Sequence, residues 1–98
     1  MTKVALFVRL EAKSGKEQEV ADFLRSGLSI VQNELQTTTW YGIQLGRSTF
    51  GIFDTFPNDA GRKAHLAGEV AVALMANAHR LLAHESVIEF ADVLASKP

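Results

Sequence analysis

Three side chains between residues 50 and 68 have types and a spacing that could serve chemistry. Asp54 interrupts the apolar run FGIFDTF, Phe56 follows two residues later, and His65 lies on the segment after a proline-led turn. A carboxylate, an aromatic wall and an imidazole that titrates near neutral pH are components of general acid–base catalysis. These residues can act together only if the fold brings a strand and the following helix into contact.

The elements that must position them follow from the hydrophobic pattern. Apolar, β-branched and aromatic runs predict four strands, at KVALFVRLEA, TTTWYGIQL, STFGIFDTF and SVIEFADVLA. One helix is predicted after the first strand, and a second begins near Asn58 or Asp59 and is broken near Gly68. The order β-α-β-β-α-β predicts an α+β, ferredoxin-like fold: a four-stranded antiparallel sheet with helices on one face. We expect one domain over residues 1–98.

A two-residue type II′ turn at Gly46 and Arg47 is predicted between the second and third strands. This register pairs Trp40 with Phe53 on the sheet face that points away from the helices, where Trp40 would pack against a partner. The face toward the helices would carry Tyr41, Ile43, Leu45, Phe50, Ile52, Asp54 and Phe56.

The first and fourth strands are apolar on both faces, whereas an antiparallel sheet with one wet face alternates. Two helical segments cover only one side of such a sheet. We therefore predict a homodimer in which a second copy packs sheet to sheet against the open face.

Composition and charge exclude several classes of function. The net charge is −1 with the basic residues scattered, so no stripe exists to neutralise the phosphates of a nucleic acid. The chain has no cysteine, and its three histidines lack a ligand spacing, so no metal site is predicted. No targeting segment or membrane-length apolar run is visible. We expect a cytoplasmic protein with neither membrane nor nucleic acid as a partner.

The third strand and the helix after it resemble the antibiotic biosynthesis monooxygenase family. Members tend to have an acidic residue, one intervening residue and an aromatic residue, and then an acidic-led helix that reaches a His-Leu pair. Asp54, Phe56, Asp59, His65 and Leu66 stand at those places. Glutamate is commoner in the family where Asp54 stands, and tryptophan where Phe56 stands. The resemblance covers essentially the whole chain.

The resemblance implies a dimeric α/β barrel with a pocket between sheet and helices in each subunit. Characterised members oxidise electron-rich phenols such as quinols with O₂ and without any cofactor, so a small aromatic substrate is implied. Relatives that degrade haem use an asparagine on the first strand, which this sequence lacks. The alternative is a non-catalytic protein of the same fold that binds a small molecule.

Cofactor-free oxygenation requires a base, because the deprotonated substrate itself must reduce O₂. A phenol titrates near pH 10 and histidine near about 6.5, so the proton transfer is uphill by roughly 5 kcal/mol. Hydrogen-bond donors placed at the phenolate oxygen could offset a cost of this size.

His65 is the predicted base, although a histidine on a helix surface is equally compatible with the sequence. Asp54 would orient His65 or bind a substrate hydroxyl, or else form a salt bridge with Arg9, Arg62 or Lys63.

The remaining predicted contacts are with the substrate. Tyr41 could bind a substrate oxygen or place its ring in the core and its hydroxyl at the rim. Arg9 could hold an anionic substrate or pair with Glu11 or Glu89. The predicted apolar walls are Phe50, Ile52 and Phe56.

Overall fold

The structure, a computed structural model, describes residues 2–97. Its strands are β1 (Val4–Glu11), β2 (Thr39–Gln44), β3 (Thr49–Phe56) and β4 (Val87–Asp92). Its helices are α1 (Glu17–Val31), α2 (Asp59–Leu66) and α3 (Glu69–Leu81). The strands form one antiparallel sheet in the order β2-β3-β1-β4. The predicted ferredoxin-like α+β fold is confirmed, with the second helical stretch divided in two before Glu69.

The main core lies between the sheet and the helices. Side chains of β1 alternate, so Leu6, Val8 and Leu10 are buried on the helix side while Arg9 is exposed on the other. Helix α1 contributes Val20 and Leu24 to the same core. This alternation decides which side chains of the paired strands can reach a site beneath the helices.

The predicted register of the β2–β3 hairpin is wrong by one residue. Trp40 pairs with Asp54, and Tyr41 pairs with Phe53. A one-residue slip moves every side chain of a strand to the opposite face. Trp40 therefore lies on the helix side with Asp54, and Tyr41 lies on the open face, where it is 55% exposed.

The hairpin loop is longer than the predicted two-residue turn, because hydrogen bonds from the end of β1 hold the part of the loop that leads into β3. The backbone N–H of Ala12 donates to the carbonyl of Ser48 at 2.8 Å. The Glu11 carboxylate accepts hydrogen bonds from the hydroxyls of Ser48 and Thr49. These hydrogen bonds hold Ser48 against β1. Residues 45–48 therefore form the loop that joins β2 to β3.

The face of the sheet away from the helices carries apolar side chains that nothing in the described chain covers. Phe53 is 37% exposed there, and the ring of Phe7 lies over Gly51 so closely that a Cβ on Gly51 would come within 3.0 Å of it. Other members of this face are Tyr41, Ile43 and Val87. No helix in residues 2–97 is both long enough and apolar enough to cross a membrane.

Gly42 lies in close contact with α1. A Cβ at Gly42 would lie 3.2 Å from Cβ of Leu24 and 3.4 Å from the Trp40 ring. We expect Gly42→Val to lower the free energy of unfolding by about 1–3 kcal/mol through overpacking. Gly46→Val is the matched control, since no atom lies within 4 Å of its Cβ position, and it should change stability by less than about 0.5 kcal/mol. Urea denaturation measures both, and equal losses would contradict the packing argument.

Candidate functional site

His65 lies in the last turn of α2, and the start of that helix fixes where it points. The side chain of Asn58 caps α2 by accepting a hydrogen bond from the backbone N–H of Gly61 at 2.9 Å. The helix ends after Leu66, and Gly68 separates it from α3. His65 faces inward and is only 7% exposed, so it is not the surface histidine that the sequence left open.

Asp54 faces His65 from β3. It is fully buried, and its Oδ2 lies 2.8 Å from Nε2 of His65. The alignment is that of an ion contact and not of a directed hydrogen bond, so neither carboxylate oxygen has a hydrogen-bond partner among the described residues. The alternative salt bridge to Arg62 or Lys63 is wrong, because both of these side chains pair with Asp59.

Glu34 completes the cluster from the segment after α1. Its Oε1 lies 2.5 Å from Nδ1 of His65 and also accepts the hydroxyl of Thr37 at 2.8 Å. Sequence reasoning missed this residue. Its distance along the chain from Asp54 and His65 follows no motif, and the polar run NELQ is typical of any helix-terminal loop.

The two contacts favour the charged form of His65. Both ring nitrogens lie beside carboxylate oxygens, and the imidazolium is the form that both contacts stabilise. Burial lowers the pKa of His65, but Asp54 and then Glu34 oppose it, and the net result is a pKa above the usual 6.5. Neither nitrogen is free to take a substrate proton. The role of His65 as the base stays a prediction, and in this geometry both of its ring nitrogens contact carboxylate oxygens.

A cavity of about 310 Å³ adjoins the cluster. His65, Glu34 and Glu69 are its ionisable lining residues, and it lies between the end of α1, the segment after it, and α2. Asp54 does not reach it. The remaining lining residues are Ile30, Asn33, Leu35, Gln36, Thr37, Gly61, Ala64 and Gly68.

The predicted apolar walls lie behind this cluster. Phe56 is fully buried and packs against the imidazole, with ring centroids 5.4 Å apart. Ile52 is in the core, and Phe50 borders a second cleft of about 400 Å³ between α1 and β2. Trp40 forms part of that cleft, and its buried Nε1 has no hydrogen-bond partner among residues 2–97. Its predicted role in sheet-to-sheet packing is wrong, because the indole lies beneath α1 against Gly27.

Tyr41 and Arg9 are not part of the cluster. Tyr41 has its side chain on the open sheet face and is also among the residues that line the second cleft. Arg9 is on that open face too, with its guanidinium 5.5 Å from the centroid of the Phe7 ring. It forms no salt bridge with Glu11 or Glu89 within the described chain. Contact of Tyr41 and Arg9 with a substrate stays a prediction.

Solved structures with the same fold place this chain among known proteins. The protein NE2512 of unknown function from Nitrosomonas europaea is 54% identical, with a TM-score of 0.98 over all of this chain and 95% of that one. The chain belongs to the family of NE2512. No family model and no curated protein matches the sequence.

More distant structures identify the fold. An antibiotic biosynthesis monooxygenase is 14% identical, with a TM-score of 0.79 over 94% of this chain and 99% of that one. A candidate antibiotic biosynthesis monooxygenase from Caulobacter crescentus is 15% identical, with a TM-score of 0.82 over 96% and 92%. The predicted resemblance is thereby confirmed for the fold.

The charge of His65 predicts how stability depends on pH. Because its folded pKa is raised, its contribution is complete below the unfolded pKa of about 6.5 and is lost as the pH rises through the folded pKa. Urea midpoints of the wild type should therefore fall as the pH increases from 6 to 9. His65→Gln should be less stable than the wild type at pH 6, and its stability should not show this fall between pH 6 and 9. The exposed His84 provides the control, His84→Gln, which should keep the wild-type profile. Parallel profiles for the wild type and His65→Gln would contradict the assignment.

Proposed function

We propose that this protein is a cofactor-independent monooxygenase that oxidises a quinol or a related electron-rich aromatic with O₂. The observation that carries the proposal is the imidazolium of His65, held between Asp54 and Glu34 at the wall of a cavity. The fold, shared with antibiotic biosynthesis monooxygenases, supports the same assignment.

The reaction balances without an added reductant. One hydroquinone and one O₂ give one hydroxyquinone and one water, because the substrate supplies all four electrons. Two electrons come from oxidation of the quinol to the quinone level and two from conversion of a ring C–H bond to C–O. The protein has to bind the ring, withdraw a hydroxyl proton and hold the oxygen anions that form.

The cavity suits a substrate of one or two rings, since small-molecule sites begin at about 300 Å³. Ile30, Leu35 and Ala64 offer apolar surface to the ring, and the imidazolium supplies positive charge beside it. Phe56, predicted as a wall, packs against the His65 ring from the core side, and Ile52 lies buried in the core. In this proposal a carboxylate at the cavity wall, and not that of Asp54, takes over the acceptor role first assigned to His65.

The second candidate is a non-catalytic protein that binds a small aromatic molecule. The engagement of both His65 nitrogens favours it, because a base is then absent from the position that the sequence predicted. Ligand binding without chemistry would raise the melting temperature and consume no O₂.

Oxygen uptake distinguishes the two candidates. Metal-stripped protein should consume O₂ with at least one member of a panel of hydroquinones, naphthalenediols and anthrones, above the autoxidation rate. Asp54→Asn should lower the rate by about 10²-fold or more, because it removes a charge that holds His65 as an imidazolium. The control is Asp22→Asn, which changes an exposed carboxylate on α1. Thermal shifts without O₂ uptake across the panel would favour the binding protein.

We also propose a homodimer formed through the open sheet face. The exposed apolar side chains there, with Phe53 near the centre of the sheet, form a surface that a second copy could bury. A second copy of the chain is the proposed partner, because a two-fold axis would bring the same apolar face of both subunits together.

Sedimentation should give twice the chain mass of 10.7 kDa for the wild type. Phe53→Lys should yield the monomer, because it would bury an unpaired charge in the interface. Met75→Lys, on the exposed side of α3, is the matched control and should remain dimeric. A dimer that persists in Phe53→Lys would place the interface elsewhere.

A further inference from the structure

Two opposite charges interrupt the open apolar face of the sheet. Arg9 lies on β1 and Glu89 lies on β4, and both residues are exposed. Arg9 pairs with Val87, and Phe7 pairs with Glu89, so the two charges are diagonal neighbours on the same face. Both therefore belong to the surface that the proposed homodimer would bury.

Neither charge has an ionic partner within the described chain. No salt bridge among residues 2–97 involves Arg9 or Glu89. The Arg9 guanidinium instead lies 5.5 Å from the centroid of the Phe7 ring, so it is held over the apolar surface. Glu11, two residues further along β1, already accepts hydrogen bonds from two hydroxyl groups. Arg9 and Glu89 are thus the two charges of this face that are left to be compensated.

Burial of these charges restricts how two copies can pack. A charge on an exposed sheet face is solvated by water, whereas a charge that loses its water in an interface requires an opposite charge beside it. In a two-fold interface each contact occurs twice, with the two residues exchanged between the subunits. A charged residue that met its own copy would bring like charges together, whereas a crosswise contact compensates both charges.

We propose that Arg9 of each subunit forms an ion pair with Glu89 of the partner subunit, so that two equivalent pairs fix the register of the dimer. The inference rests on the proposed homodimer and names the residues that would make the interface specific. A second copy of this chain is the partner that fits, because one face carries both members of the pair.

Charge reversal in separate chains tests this pairing. Arg9→Glu alone and Glu89→Arg alone should each raise the dissociation constant of the dimer by about 100-fold or more, because like charges then meet in the interface. An equimolar mixture of the two variants should form a heterodimer. The carboxylate introduced at position 9 then faces the guanidinium introduced at position 89, and the native pair forms at the second contact. Native mass spectrometry resolves this heterodimer from the two homodimers.

The mixture distinguishes pairing between subunits from pairing within one chain. A pair within one chain would leave like charges side by side in both variants, so mixing them would not restore the dimer. The matched controls Arg25→Glu and Asp22→Arg reverse the same charges on the exposed surface of α1, and each should dimerise as the wild type does.

The outcomes separate this inference from the dimer on which it rests. A mixture that stays monomeric, or single reversals that keep the wild-type dissociation constant, would overturn the pairing and leave the dimer standing. A monomeric wild type would remove the dimer itself and the pairing with it.

Neutral variants decide the case if a reversed charge prevents folding. Arg9→Gln and Glu89→Gln should each weaken the dimer by about tenfold or more, because the remaining charge is buried without its partner. The double variant should be little weaker than either single variant, since the loss of one member already breaks the pair. Additive losses in the dissociation constant would contradict the pairing.

Discussion

A single buried imidazolium joins the parts of the chain that form the candidate site. His65 of α2 contacts β3 through Asp54 and the segment after α1 through Glu34, so one ring connects three elements that are distant in sequence. Removing one member of such a cluster leaves a buried charge uncompensated, which is strongly destabilising. The cavity wall, the end of α1 and the packing of Phe56 all depend on this ring keeping its position and its charge.

The sequence was sufficient for the fold and for two of the three members of the cluster. Asp54, Phe56 and His65 were found because a strand and the following helix carry them within a short stretch, so local pattern and family resemblance both applied. Glu34 was missed because its contact with His65 spans 31 residues and joins a loop to a helix. Periodicity describes one element at a time and contains no information on such a pairing.

The wrong hairpin register has an equally specific cause. Gly46 and Arg47 have the composition of a tight turn, but Ser48 is held by β1 through Glu11 and Ala12. A contact made by a third strand overrode the local preference of the turn. The same slip explains the misplacement of Tyr41 and Trp40, since each was assigned to the face opposite to the one it occupies.

The loop over residues 45–48 also has an evolutionary consequence. Adding or deleting one residue there would turn β2 over and present Tyr41 and Ile43 to the helices in place of Trp40 and Gly42, whereas a change of two residues would leave the faces as they are. Relatives with this fold can therefore acquire a different cleft beside α1 when the number of residues in this loop changes between even and odd. No substitution in the strands and no change at His65 is needed.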